Sequence, residues 1–130
     1  MMFTTYAVAA AAILGAAAGA AVTRGLQGKG GPKAYIVTEV DVTGDMAVFQ
    51  RDYAAHAQGT VEPFGGHYLA RGGRVVGTEG AAPKGRIVIS EFPNFEAAQA
   101  WRSSPAYMKI VTVREREAQS RQFIVEGVGG

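Results

Sequence analysis

Arg71, His67 and Glu91 are the residues whose types could do chemistry together. Arg71 alternates with His67 and Leu69 along one run, so the three are predicted to share a strand face that ends at Gly72-Gly73. A guanidinium placed there could hold a carboxylate or an enolate oxygen through paired hydrogen bonds. It could equally reach solvent or pair with a nearby acid. His67 is of the one residue type that titrates near neutrality, which suits acid–base work, although a single histidine on a half-apolar strand also fits a hydrogen-bonded structural role. Glu91 follows Ile87 and Ile89 on one strand face. It could act as a general base, or as the partner of a buried cation.

Arg114 falls at helical spacing with Tyr107, Ile110 and Val111, so it is predicted on an apolar face. A buried guanidinium needs a partner, and Glu91 and Glu39 are the expected ones. A salt bridge locking helix to sheet would explain Arg114 without any substrate. Trp101 and Tyr107 bracket a helix break at Ser104-Pro105. They read as packing residues whose N–H and O–H want partners, and also as the mouth of a pocket between helix and sheet. With Arg114 and Tyr35 they form the candidate ligand-contacting set.

Other chemistries find little footing. With no cysteine and two histidines, His56 and His67, neither disulfides nor a metal site is expected. Gly28-Lys29-Gly30 lacks the spacing and the following Ser/Thr of a phosphate loop, and no glycine-rich turn leads from a strand into a helix, so no cofactor is expected. Ser103 and Ser104 have no histidine or acid at nucleophile spacing, and helix capping accounts for Ser104. The formal charge of +2 is carried by Arg24, Lys29 and Lys33; from Ala34 onward there are 10 Lys+Arg against 11 Asp+Glu. A domain of net charge −1 has no excess of positive charge to build a nucleic-acid face.

The elements that must position these residues follow from pattern. Ala34–Asp41 is rich in β-branched and aromatic residues and reads as a strand, with Tyr35, Val37 and Glu39 on one face and Ile36, Thr38 and Val40 on the other. Thr43-Gly44-Asp45 can cap a helix from Met46, whose inward stripe is Met46, Phe49, Tyr53 and Ala57 and which Gly59 would end. Gly65–Arg71 is a second strand, Gly72-Gly73 a hairpin turn, and Arg74–Thr78 a short returning ribbon. Gly85–Phe92 is a central strand, Asn94 and Ser104 cap two helical pieces, and the last strand lies within Gln119–Val128. The order β-α-β-β-α-β predicts an α+β, ferredoxin-like antiparallel sheet with helices on one face. The strands are apolar on both faces, so the helix-free face needs a cover, and a homodimer is the simplest.

Ahead of this domain, residues 1–22 include an uncharged, alanine-rich run from Phe3 to Val22, and residues 23–33 form a glycine-rich linker. The run is similar to a secretory signal, with Ala18 and Ala20 suiting cleavage, so an exported (periplasmic or extracellular) or membrane-anchored protein is expected. Any membrane contact would run through residues 3–22, uncleaved.

Gly65-Gly66-His67-Tyr68-Leu69-Ala70-Arg71-Gly72-Gly73, Pro83-Lys84-Gly85-Arg86 leading to Ser90-Glu91-Phe92-Pro93, and Ala100-Trp101-Arg102-Ser103-Ser104-Pro105-Ala106-Tyr107 together resemble the domain-of-unknown-function 1330 family. The resemblance covers about Ala34 to Gly127 and implies a dimeric α/β-barrel domain. Where Arg102 stands, the family pattern often has an aromatic. Relatives in the wider superfamily include cofactor-independent oxygenases, isomerases and small-ligand binders. The expectation is therefore a dimeric module binding a small organic ligand, with a cofactor-free enzyme acting on a small aromatic or carbonyl compound as the alternative.

Overall fold

A computed structural model of the chain describes residues 31–129. The leader and all of the linker before Gly31 lie outside the described residues. Four strands form one antiparallel sheet: β1 Ala34–Val42, β2 His67–Arg71, β3 Arg86–Phe92 and β4 Ala118–Glu126, in the spatial order β2-β3-β1-β4. Helical segments cross one face. The first is α1 Met46–Phe49, a π-helical turn Gln50–Ala54 and α2 Ala55–Val61, followed by a 3₁₀ turn Glu62–Phe64; the second is α3 Phe95–Arg102 and α4 Pro105–Glu117. This is the α+β, ferredoxin-like arrangement of the dimeric α/β-barrel type. Among the described residues no helix is long and apolar enough to cross a membrane.

Local chemistry sets these boundaries. Asp45 Oδ1 accepts from the Val48 N–H at 3.0 Å, and Asn94 Oδ1 accepts from the Ala97 N–H at 2.8 Å. Ser104 caps α4 with Pro105 behind it, where the missing N–H costs no hydrogen bond. In β1, Ala34, Ile36, Thr38 and Val40 are buried against the helices, while Tyr35, Val37 and Glu39 take the other face. The core joins Ala34, Ile36, Phe92, Trp101, Tyr107 and Val111. Trp101 stacks obliquely on Tyr107 at 4.1 Å between ring centroids and donates its indole N–H to Thr60 Oγ1 at 3.0 Å.

Three expectations are corrected. Gly59 does not end the first helix, which runs to Val61; the left-handed residue is Gly65, at φ 77°. Gly72-Gly73 is not a hairpin turn, and Arg74–Thr78 is not a strand. The Gly72 N–H donates to the Ile87 carbonyl at 3.0 Å, extending the β2–β3 pairing, and the chain then leaves as an exposed loop to Gly85. With only Val75 and Val76 to bury, an outer ribbon would gain little. The third correction concerns β2. Its register runs His67↔Glu91 and Tyr68↔Ser90, then skips to Ala70↔Ile89 and Arg71↔Val88. The extra residue at Leu69 is a β-bulge, and past it the side-chain parity inverts. Arg71 therefore lies on the helix side, opposite His67.

Candidate functional site

The sheet separates the chemistry-bearing residues into two groups. On the helix-free face, His67 Nε2 lies 3.1 Å from Glu91 Oε1, and Lys33 Nζ lies 3.4 Å from the same oxygen. Tyr35 stands across from Glu91 in the register. Glu39 accepts from the backbone N–H of Lys84 and from Arg121 Nε at 2.7 Å. The Lys84 amide, then Arg121, hold its carboxyl below the ordinary glutamate range. Around these paired charges lie Val37, Ile89, Leu69, Phe123 and Val125, the last three well exposed.

Arg71 is on the other side. Its guanidinium sits 4.5 Å over the Tyr68 ring, and Nη2 donates to the Ala54 carbonyl at 2.6 Å. Arg86 lies 5.9 Å from the Phe49 ring centroid. With Tyr53, Tyr68, Trp101 and Gln122 these arginines border a narrow cavity of about 30 Å³, room for one water. The structure thus brings His67 to Glu91 and Trp101 to Tyr107. It does not bring Arg71 to His67 or Glu91.

Arg114 is buried, as its helical spacing predicts, but its expected carboxylate partners are absent. Glu39 and Glu91 are engaged on the far face of the sheet. The Arg114 guanidinium instead lies 5.7 Å from the Tyr53 ring centroid, and its Nε has no acceptor. Tyr53 and Tyr107 share a hydroxyl hydrogen bond of 2.7 Å. Burial, then the neighbouring Tyr107, push the Tyr53 phenol far above the usual tyrosine range. Tyr53→Phe should lower stability by about 1–2 kcal/mol, because the Tyr107 hydroxyl loses its partner. Urea unfolding would measure it, and an unchanged midpoint would show that the pair carries no net stability.

Beyond Tyr107, Arg102 Nε donates to Gln122 Oε1 at 2.6 Å, while Gln122 Nε2 donates to Thr38 Oγ1 at 2.9 Å. The Arg102 guanidinium lies 5.2 Å from the Tyr107 ring centroid. Arg102, Arg114 and Gln122 line a surface hollow of about 510 Å³ between α4 and β4. Gln122 also borders the small cavity. Sequence reasoning passed over Gln122 and Arg86. The available signal was Gln122 itself, a polar residue in the alternation between Ala118 and Ile124, on the covered face of β4. Among the described residues, no carboxylate lies in salt-bridge range of Arg71, Arg86, Arg102 or Arg114. No three acidic or histidine side chains gather there to hold a metal.

Comparison with known proteins agrees with this fold. A family model described as "Domain of unknown function (DUF1330)" matches residues 33–128. No curated protein matches. The crystal structure of the RPA0582 protein of unknown function from Rhodopseudomonas palustris is similar, with 16% identity and a TM-score of 0.59 over 83% of this chain and 92% of that one. The methylated form of the RPA0582 protein gives 16% identity and a TM-score of 0.54 over 83% and 90%. At that identity the likeness speaks for the fold alone.

Proposed function

Since this chain belongs to the DUF1330 family, whose function is unknown, we propose a role from its own geometry: a homodimeric module that binds a small organic anion between its helices and its sheet. The carrying observation is the imbalance across the sheet. Two carboxylates of the helix-free face, Glu39 and Glu91, are matched by Arg121, Lys33 and His67. The helix-side arginines, Arg71, Arg86, Arg102 and Arg114, have no carboxylate partner among the described residues. Guanidinium groups gathered against aromatic rings without an acid suit an incoming carboxylate, which they can grip through charge-assisted hydrogen bonds.

The helix-free face suits a second copy. Its apolar side chains are exposed, and the charges of Glu39 and Glu91 among them are already matched, so an identical surface could cover that part without stranding an ion. The binding role is favoured over the cofactor-free enzyme because the sheet stands between Arg71 and the His67–Glu91 pair, leaving the proton carrier away from the cation. The leader Phe3–Val22 supports an exported or membrane-tethered site of action.

Calorimetric titration of the full chain with benzoate and with its neutral counterpart benzamide tests the binding role. Benzoate should bind about tenfold tighter or better, the scale of one charge-assisted hydrogen bond, and should weaken as salt rises. Equal affinities, or no heat from either, would overturn the role.

A further inference from the structure

We propose that the seat of the anion is the hollow between α4 and β4, and that the ligand is a small monocarboxylate with a hydrocarbon body. The proposal rests on the binding role above and locates it. Arg114 carries the argument. It is 3% exposed, it forms part of the wall of the hollow, and its Nε has no acceptor. A buried cationic donor without an acceptor is costly to a folded chain. Packing against Tyr53 at 5.7 Å offsets part of that cost and supplies no acceptor. A carboxylate entering the hollow brings a countercharge to the part of the guanidinium that lines it.

The rest of the wall is built for the same guest. Arg102 reaches the hollow from the end of α3. It is held there by Gln122 Oε1 at 2.6 Å, and Gln122 is fixed in turn by Thr38. The second cation is therefore positioned before any ligand arrives, which lowers the ordering cost of binding. Ala118 and Ile124 provide an apolar surface for a hydrocarbon body, and Phe123 borders the hollow at the edge of the sheet. The volume of about 510 Å³ falls in the range of small-molecule sites. Glu115, exposed on α4, is the one carboxylate in the lining. Its charge works against a ligand carrying a second carboxylate, which selects for a monoanion.

The test is calorimetric titration of the full chain with benzoate, for the native protein and for Arg114→Met, Arg102→Gln and Arg74→Gln. Arg74 is an exposed loop arginine, so its variant removes the same charge away from the hollow. Arg114→Met should weaken benzoate about 10- to 100-fold and Arg102→Gln about tenfold, the span for losing charge-assisted contacts. Arg74→Gln should bind as the native chain does, and phthalate should bind the native chain more weakly than benzoate. Thermal melts accompany each variant. If Arg114→Met fails to fold, Arg102→Gln carries the test, since its side chain is only partly buried. Native-like benzoate affinity in Arg102→Gln and in a folded Arg114→Met would place the anion elsewhere, overturning this site while leaving the binding role standing. Absence of benzoate binding to the native chain would overturn both.

Discussion

Phe123→Asp is expected to turn the proposed dimer into a monomer. Phe123 lies on β4 opposite Val37, on the face that no helix covers, and is 57% exposed in the single chain. Leu69 at 54% and Val125 at 45% extend the same surface. Burying one aromatic side chain is worth about 2–3 kcal/mol, and a two-fold interface counts it twice. The aspartate adds a further cost, because a carboxylate facing its own copy across an apolar contact is desolvated and repelled. A loss of roughly 5 kcal/mol or more raises the dissociation constant by over a thousandfold. Sedimentation equilibrium of the full chain at micromolar concentration reads this directly. The native chain should run at twice its monomer mass and the variant at the monomer mass. A native monomer, or a variant that still dimerises, would remove this face as the interface.

Trp101→Ala should cost the most stability of any single truncation, about 3–5 kcal/mol. Trp101 is 4% exposed and sits between Phe92, at 5.7 Å between centroids, and Tyr107, at 4.1 Å. Truncation would open a cavity at the centre of the core cluster. It would also take the indole donor from the Thr60 hydroxyl, which itself donates to the Ala57 carbonyl at 2.7 Å. Three elements meet at this side chain: α2 through Thr60, β3 through Phe92 and α4 through Tyr107. Urea unfolding would show a midpoint shift with little change in slope if the loss is local. A shift below about 1 kcal/mol would mean the neighbours collapse into the space, as well-placed cores sometimes allow.

Much of this architecture was legible in the residues. Alternation placed Ile36, Thr38 and Val40 together, and the capping stretch Thr43-Gly44-Asp45 with Asn94 and Ser104 marked the helix starts, because each acts over three or four positions. What escaped depends on register across the sheet. The bulge at Leu69 is invisible to an alternation rule, which assumes a uniform pleat; one extra residue carried Arg71 through to the helix side. The partner predicted for Arg114 failed on parity. Glu39 and Glu91 share the helix-free face with Tyr35, so neither could reach a residue beneath α4. The Gly72-Gly73 hairpin failed because turn chemistry permits a reversal but does not supply apolar surface to hold the returning strand. The Arg102–Gln122–Thr38 chain joins three elements far apart in sequence, and no local pattern announces it.

The two faces of the sheet are assigned different work, and one diffraction experiment tests both assignments. Crystals of the full chain grown with 4-bromobenzoate, measured at the bromine absorption edge, would locate the ligand by anomalous scattering. The account predicts one bromine site per chain in the hollow beside Arg102 and Arg114, with the carboxylate toward the two guanidinium groups and the Phe123 faces of two chains packed about a two-fold axis. Bromine on the helix-free face, or an empty hollow at a concentration that saturates binding in solution, would contradict it.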